Sequence, residues 1–244
     1  MVERFNSVPF FQRKIIMLKN QIKAVFFDLD DTLLDFNLCA REAIIDSCKD
    51  MGIPFSEKLY ENFTRINPAL WKMVETGVIT RATLHKLRFL SILSETGIDA
   101  DDQELERLLK VHIKKCAVRL PYAEEILKYL HGKYELYVTS NASQEQQIMR
   151  LEKAGLLPYL TDVFTSGRIG VEKPKREFFE GVFKLLPHLS PEQTIIVGDS
   201  LRADIVGGKS YGIKTCWLDR FGNDFPGVTP DYTITNLKEL ENLL

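Results

Sequence analysis

The sequence predicts an α/β protein, a doubly wound parallel sheet with a bundle of helices inserted into it. Three observations carry that reading. Ala24 to Phe27 is a short apolar run rich in β-formers, as expected of a strand buried on both faces. From Leu120 onward, strand-like and helix-like stretches alternate, the pattern of parallel strands joined by crossover helices. Between them, residues 37–118 show helical periodicity and almost no strand signal.

The first strand runs straight into acids: Asp28, Asp30 and Asp31, with Thr32 beside them. Strand alternation, carried past Phe27, puts Asp28 and Asp30 on one side. Two carboxylates at the mouth of an apolar strand repel each other and require a cation, a shared proton or both. The bland reading is a solvated acidic turn, so the weight of these acids depends on what the rest of the chain brings to them.

The inserted block divides into four amphipathic helices. Leu38 to Met51 is closed by Gly52 and Pro54. The second follows Ser56 and runs towards Thr76 through Leu59, Phe63, Ile66, Leu70 and Val74, with Pro68 expected to kink or divide it. Thr80 opens the third, which Gly97 stops, and Asp101 or Asp102 opens the fourth, which ends near Ile113. After the block, Ala123 to Leu130 reads as helix, Tyr134 to Thr139 as strand and Gln144 to Ala154 as helix. Val163 to Thr165 reads as strand, Arg176 to Leu186 as helix, Thr194 to Val197 as strand and Ala203 to Tyr211 as helix. Lys214 to Leu218 and Tyr232 to Ile234 read as the last strands and Leu237 to Leu244 as the last helix. The expected division is an N-terminal extension over 1–22, a core built from 23–36 and 119–244, and a helical insert over 37–118.

Composition narrows the function classes. Of 244 residues, 45% are hydrophobic and 27% charged, as in ordinary globular proteins. A net charge of -2 gives no global attraction to a nucleic acid polymer or an anionic membrane. No apolar run is long enough to span a bilayer. Cys39, Cys48, Cys116 and Cys216 lie far apart among apolar residues, which suits buried reduced thiols in a cytoplasmic protein. The four histidines show no metal-ligand spacing. The stretch before Asn20 lacks the apolar core and cleavage site of a signal peptide. Met17 stands just ahead of the first strand, so the residues before it are either an upstream extension or a short helix packed on the core.

An open parallel sheet binds ligands at the C-terminal ends of its strands, so polar residues should gather there. They do. The first strand ends in Asp28 and Asp30, the second in Ser140 and Asn141, and the fourth in Gly198, Asp199 and Ser200 with Asp204 soon after. Lys173 and Pro174 fall between the third and fourth. Singly, Ser140 could cap a helix, Lys173 could be a solvated surface lysine, and Asp199 and Asp204 could complement a helix dipole. Together they bring acids, a hydroxyl, an amide and an ammonium to one place.

These four segments resemble, in order and spacing, the four motifs of the haloacid dehalogenase superfamily. They are Asp28 to Thr32, Thr139 to Asn141, Lys173-Pro174 and Gly198 to Asp204. The helical insert is similar to that superfamily's small α-helical cap. The resemblance implies Asp28 as nucleophile, forming an aspartyl-phosphate, and Asp30 as the acid that protonates the leaving alcohol and then activates water. It implies Mg²⁺ held by Asp28, the main-chain carbonyl of Asp30 and Asp199, with Asp204 either a ligand or the holder of a metal-bound water. Ser140 and Lys173 would bind phosphate oxygens, with Asn141 and Thr32 in the binding set as positioning groups.

The acid at Asp30 favours phosphoryl chemistry over halide displacement, because a halide leaves without a proton. Asp31 and the Gly198-Asp199 pair favour hydrolysis over a phosphomutase of the β-phosphoglucomutase kind. The stretch Trp71 to Thr80, followed by Arg88-Phe89, looks like the cap of pyrimidine 5'-nucleotidase-type phosphatases. Arg88 either meets a polar edge of the substrate or forms a structural ion pair, and Trp71 and Phe89 either stack on a base or pack the cap core. The expected function is Mg²⁺-dependent hydrolysis of small phosphate monoesters, with nucleoside 5'-monophosphates first. Sugar phosphates or phosphoglycolate, a 2-haloacid, and a non-catalytic binding role are the alternatives. The expected partner is a small phosphorylated metabolite, on a monomer or small homo-oligomer.

Overall fold

A computed structural model describes residues 18–220 and 227–244. The alternatives for the residues before Met17 lie outside the described residues. Leu18 and Ile22 are described and are buried in the core beneath the sheet.

The sheet contains β1 (Ala24–Phe27), β2 (Glu135–Ser140), β3 (Asp162–Thr165), β4 (Thr194–Gly198), β5 (Lys214–Leu218) and β6 (Tyr232–Ile234). Its order is β3-β2-β1-β4-β5-β6, and every described pairing is parallel. This is a Rossmann-like core in which strand order reverses between β1 and β4, the place where such sheets open a crevice. Alternation along β1 explains its wholly apolar sequence. Val25 and Phe27 enter one core layer, while Ala24 and Phe26 enter the layer on the other face. Register then sets the site. Phe27 lies opposite Val138 of β2 and Val197 of β4, so three strands end side by side.

The inserted cap region is all helical: α1 (Phe36–Met51), α2 (Glu57–Glu75), α3 (Arg81–Thr96) and α4 (Asp102–Ile113). Each starts on a side chain that accepts an amide of the first turn: Asp35, Ser56, Thr80 and Asp101. Their apolar faces close on a hydrophobic cluster of their own around Phe63, whose ring lies against Phe36, Tyr60 and Phe89. The chain's entry into the cap and its exit run together. Asp35 N donates to Val118 O at 2.8 Å, and Leu120 N donates to Leu33 O at 2.9 Å.

After the cap come α5 (Ala123–Leu130), α6 (Gln144–Lys153), α7 (Arg176–Leu185) and α8 (Gly207–Tyr211). Three expectations are corrected here. Pro68 does not divide α2, which runs through it to Glu75, because Pro68 and Thr64, the residue whose carbonyl it leaves without a donor, both lie on the exposed side. The segment Leu201–Val206 is a π-helix rather than the start of an α-helix, since Ile205 N reaches back to Ser200 O. The C-terminal stretch opens as a 3-10 turn, Leu237–Glu239, held by a capping box between Asn236 and Glu239, before the short helix Leu240–Leu243.

Candidate active site

Asp28 is the first residue beyond β1, tied to β4 by its N–H donating to Val197 O at 2.9 Å. The chain then turns back on itself. Asp31 takes a left-handed conformation at φ 58, and its N–H donates to Leu34 O at 2.7 Å. Aspartate tolerates this region better than most residues. Burial, with Asp30 beside it, pushes the Asp31 carboxyl up to about 6.

Asp28, Asp199 and Asp204 each turn a carboxylate oxygen into a cluster no wider than 4.8 Å. Lys173 is buried among them. Its Nζ donates to Asp28 Oδ1 at 2.8 Å, to Asp204 Oδ1 at 2.6 Å and to Thr139 O at 2.7 Å. Burial alone would lower the Lys173 ammonium, but Asp204 and Asp28 outweigh it and push it up. Burial lifts the Asp28 carboxyl to about 8 against the pull of Lys173, and burial beside Asp28 and Asp204 lifts Asp199 well above the carboxylate range. Ionised, the three acids and one ammonium leave two negative charges uncompensated. A divalent cation fits that deficit, and the all-oxygen donor set suits a hard one.

The neighbours fix this arrangement. Thr32 Oγ1 accepts Asp199 N at 3.1 Å and lies 3.4 Å from Asp199 Oδ1, so Thr32 orients the acid. Asn141 spends both ends of its amide on Lys173: Nδ2 donates to Lys173 O at 2.9 Å and Oδ1 accepts Lys173 N at 2.8 Å. Asp204 Oδ2 accepts Ser200 N at 3.2 Å. A Cβ on Gly198 would stand 2.2 Å from Asp204 Oδ2, so only glycine lets Asp204 fold over the end of β4.

Asp30 faces elsewhere. Its carboxylate pairs with Arg150, fully buried on α6, and accepts Gln147 Nε2 at 2.8 Å. Gln147 Nε2 also donates to Ser140 Oγ at 2.8 Å, which leaves the Ser140 proton free for a ligand. Arg150 Nε donates to Cys116 O at 3.1 Å, where the chain leaves the cap. Sequence reasoning missed Arg150 and Gln147. On a helix carrying Glu145, Glu152 and Lys153 they look like one more polar position. Their only sequence signal is the three-residue spacing that places both on one face after Ser140.

The cap closes over these groups. Arg81 Nη1 donates to Ser166 Oγ at 2.7 Å, and Ser200 Oγ donates to Glu75 Oε1 at 3.2 Å. Burial, with Asp204 nearby, pushes the Glu75 carboxyl up to about 7. Between cap and core lies a cavity of about 840 Å³ that reaches Asp28, Asp30, Ser140, Lys173, Asp199 and Asp204, with Asn67, Trp71 and Arg88 on the cap side. Arg88 has the ion pair: Nε and Nη2 donate to the two oxygens of Glu106 at 2.9 and 2.7 Å. Phe89 packs in the cap core, and Trp71 is half buried at the cavity. No helix among the described residues is long and apolar enough to cross a membrane.

The family model of haloacid dehalogenase-like hydrolases matches residues 22–212. The HAD-hydrolase YfnB of Bacillus subtilis is 34% identical over 223 residues, covering 91% of this chain and 95% of that protein. A crystal structure of YfnB bound to magnesium superimposes with a TM-score of 0.88 over 92% of this chain and 99% of that one. Pyrimidine 5'-nucleotidase PynA of Streptococcus pneumoniae is 33% identical over 224 residues, 91% of this chain and 94% of that protein. The chain belongs to the haloacid dehalogenase-like hydrolases. Its aspartate cluster is typical of the members that form a phosphoaspartate, and it is a metal-dependent phosphomonoesterase of that family.

Gly198→Ala is expected to displace Asp204 and weaken divalent-cation binding by about tenfold or more, read by titration calorimetry. An unchanged affinity would remove Asp204 from the cation site.

Proposed function

We propose that the chain hydrolyses nucleoside 5'-monophosphates with Mg²⁺ as its cation. The observation that carries this reading is the cavity of about 840 Å³ joining the aspartate cluster to Trp71 on the cap. Its size falls within the range of about 300–1,000 Å³ usual for small-molecule sites. Phosphoglycolate would leave most of it unfilled. The nucleotidase name of the PynA relative supports the same choice. In this reading residues 37–118 act as a cap domain over a core of 23–36 and 119–244.

Asp28, Asp199 and Asp204, with the carbonyl of Asp30, would hold Mg²⁺, which would supply positive charge to neutralise the phosphoryl oxygens. Lys173, already bonded to Asp28, lowers the repulsion between that carboxylate and the incoming anion. The Ser140 hydroxyl donates to a phosphoryl oxygen. An Asp28 oxygen attacks phosphorus, the ester P–O bond breaks, and the leaving alkoxide takes a proton from Asp30. Asp30 then takes a proton from water, the hydroxide attacks phosphorus, and phosphate leaves with the Asp28 carboxylate restored. Arg150 and Gln147 hold the Asp30 carboxylate while Asn141 and Thr32 hold Lys173 and Asp199.

Phosphate release from a panel of nucleoside monophosphates, sugar phosphates and phosphoglycolate tests the assignment, with Asp28→Asn as the inactive control. Preference for nucleotides is expected; turnover of sugar phosphates alone would discard it. Arg150→Met is expected to lower the rate of the phosphorylation step on alkyl phosphates by about 100-fold through misplacement of Asp30, read as the first-turnover release of alcohol. The loss in the same first-turnover step on p-nitrophenyl phosphate should be much smaller, because its phenolate leaves without a proton. Equal first-turnover losses on both would locate the effect of Arg150 in the fold instead.

A further inference from the structure

One amide in the cap wall of the cavity is fixed in orientation, with its NH₂ not taken by any acceptor among the described residues. Asn67 lies on α2, 5% exposed, in the wall of the cavity. Its Oδ1 accepts Arg88 Nη1 at 2.9 Å. A guanidinium only donates, so the amide must show Arg88 its oxygen and turn its NH₂ the other way. Arg88 is itself immobilised by its fork on Glu106. Glu106 also has His85 Nδ1 at 2.8 Å and Lys110 Nζ at 3.3 Å. Burial alone would raise the Glu106 carboxyl, but the His85 contact and the Arg88 charge hold it down at about 2. The whole assembly is a rigid mount for one amide. No acceptor among the described residues takes the Asn67 NH₂, which is not sealed in the interior but open to the cavity, where a ligand acceptor can take the place of water.

The helix places this donor relative to the chemistry. Asn67, Trp71 and Glu75 follow one another at helical spacing on α2, and all three line the cavity. Glu75 touches Ser200, next to Asp199, at the catalytic end. Asn67 is about 12 Å farther along the helix axis, at 1.5 Å per residue. A phosphoryl group at Asp28 therefore leaves the rest of its ester to extend past Trp71 towards Asn67. Trp71 offers a flat apolar surface, and Arg88 and Lys110 both have Glu106 as counter-charge, so a neutral acceptor can be taken at this corner by the Asn67 amide. A carboxylate would meet Glu75 on the way.

We propose that the Asn67 NH₂ is a specificity-determining donor for a ring carbonyl oxygen of the leaving group, as carried by a pyrimidine base. The inference deepens the nucleotidase reading and rests on it. Arg88, Glu106 and His85 act in it as positioning residues that never touch the substrate.

The test is the ratio of kcat/KM for uridine 5'-monophosphate to that for ribose 5-phosphate, which lacks the base. Asn67→Asp keeps the oxygen that Arg88 needs and replaces the donor with a second acceptor. The ratio is expected to fall about tenfold or more, because a site built to donate to a carbonyl discriminates strongly. A ratio equal to that of the unmodified protein overturns the inference while leaving the nucleotidase reading intact. A ratio near one in the unmodified protein overturns that reading itself. Should Asn67→Asp not fold, the unmodified protein is assayed with uridine monophosphate analogues lacking one ring carbonyl or the other. One of the two losses must lower kcat/KM by about tenfold or more, and indifference to both overturns the inference.

Discussion

Everything at this site follows from crowding buried negative charge around a single ammonium. Asp28, Asp199 and Asp204 converge on a space less than 5 Å across, and Lys173 answers only part of their charge. Buried carboxylates cost several kcal/mol each unless paired, so an arrangement of this kind stands against the fold's own stability. The parallel sheet makes it possible. Three neighbouring strands end level, and β1, β2 and β4 deliver their polar residues to one edge with no room to separate them. Gly198 and the π-helical turn after it then bring Asp204 over the top. The resulting charge deficit suits a divalent cation.

The two halves of the chain divide the labour. The core brings together the acid cluster and Lys173, while the cap lines the facing wall of the cavity with Asn67 and Trp71. The halves are joined at more than their linkers. Arg150 spans Asp30 and the carbonyl of Cys116, where the chain leaves the cap. Arg81 and Glu75 reach from the cap to Ser166 and Ser200 on the core. A change in cap position therefore bears on the residues around the acids through specific bonds.

The sequence shows the catalytic end of this protein plainly and the cap end poorly, for physical reasons. Asp28, Ser140 and Asp199 stand at the ends of apolar strands, where a short run of polar residues is conspicuous, and Lys173 and Asp204 follow within loops and turns of fixed length. Strand order brings Asp28, Ser140 and Asp199 together, since β1 lies between β2 and β4. Arg150 and Gln147 have no such contrast, because a polar residue on an amphipathic helix looks solvated until the packing partner is known. Arg88 was legible as a choice between substrate and ion pair. The choice turned on Glu106, a distant glutamate on another helix with nothing unusual around it in sequence. Pro68 misleads for a related reason: whether a proline breaks a helix depends on whether the carbonyl it strands can face solvent.

The acid cluster has the charge and geometry to be stabilised by a divalent cation. That is tested by the thermal midpoint of the protein freed of divalent ions, titrated with Mg²⁺, beside the same titration of Asp199→Asn. Mg²⁺ is expected to raise the midpoint of the unmodified protein by a few degrees or more. Asp199→Asn, relieved of one buried charge, is expected to begin at least as stable as the cation-free protein and to respond weakly to Mg²⁺. A midpoint indifferent to Mg²⁺, together with a loss of stability in Asp199→Asn, would contradict stabilisation of the cluster by a cation.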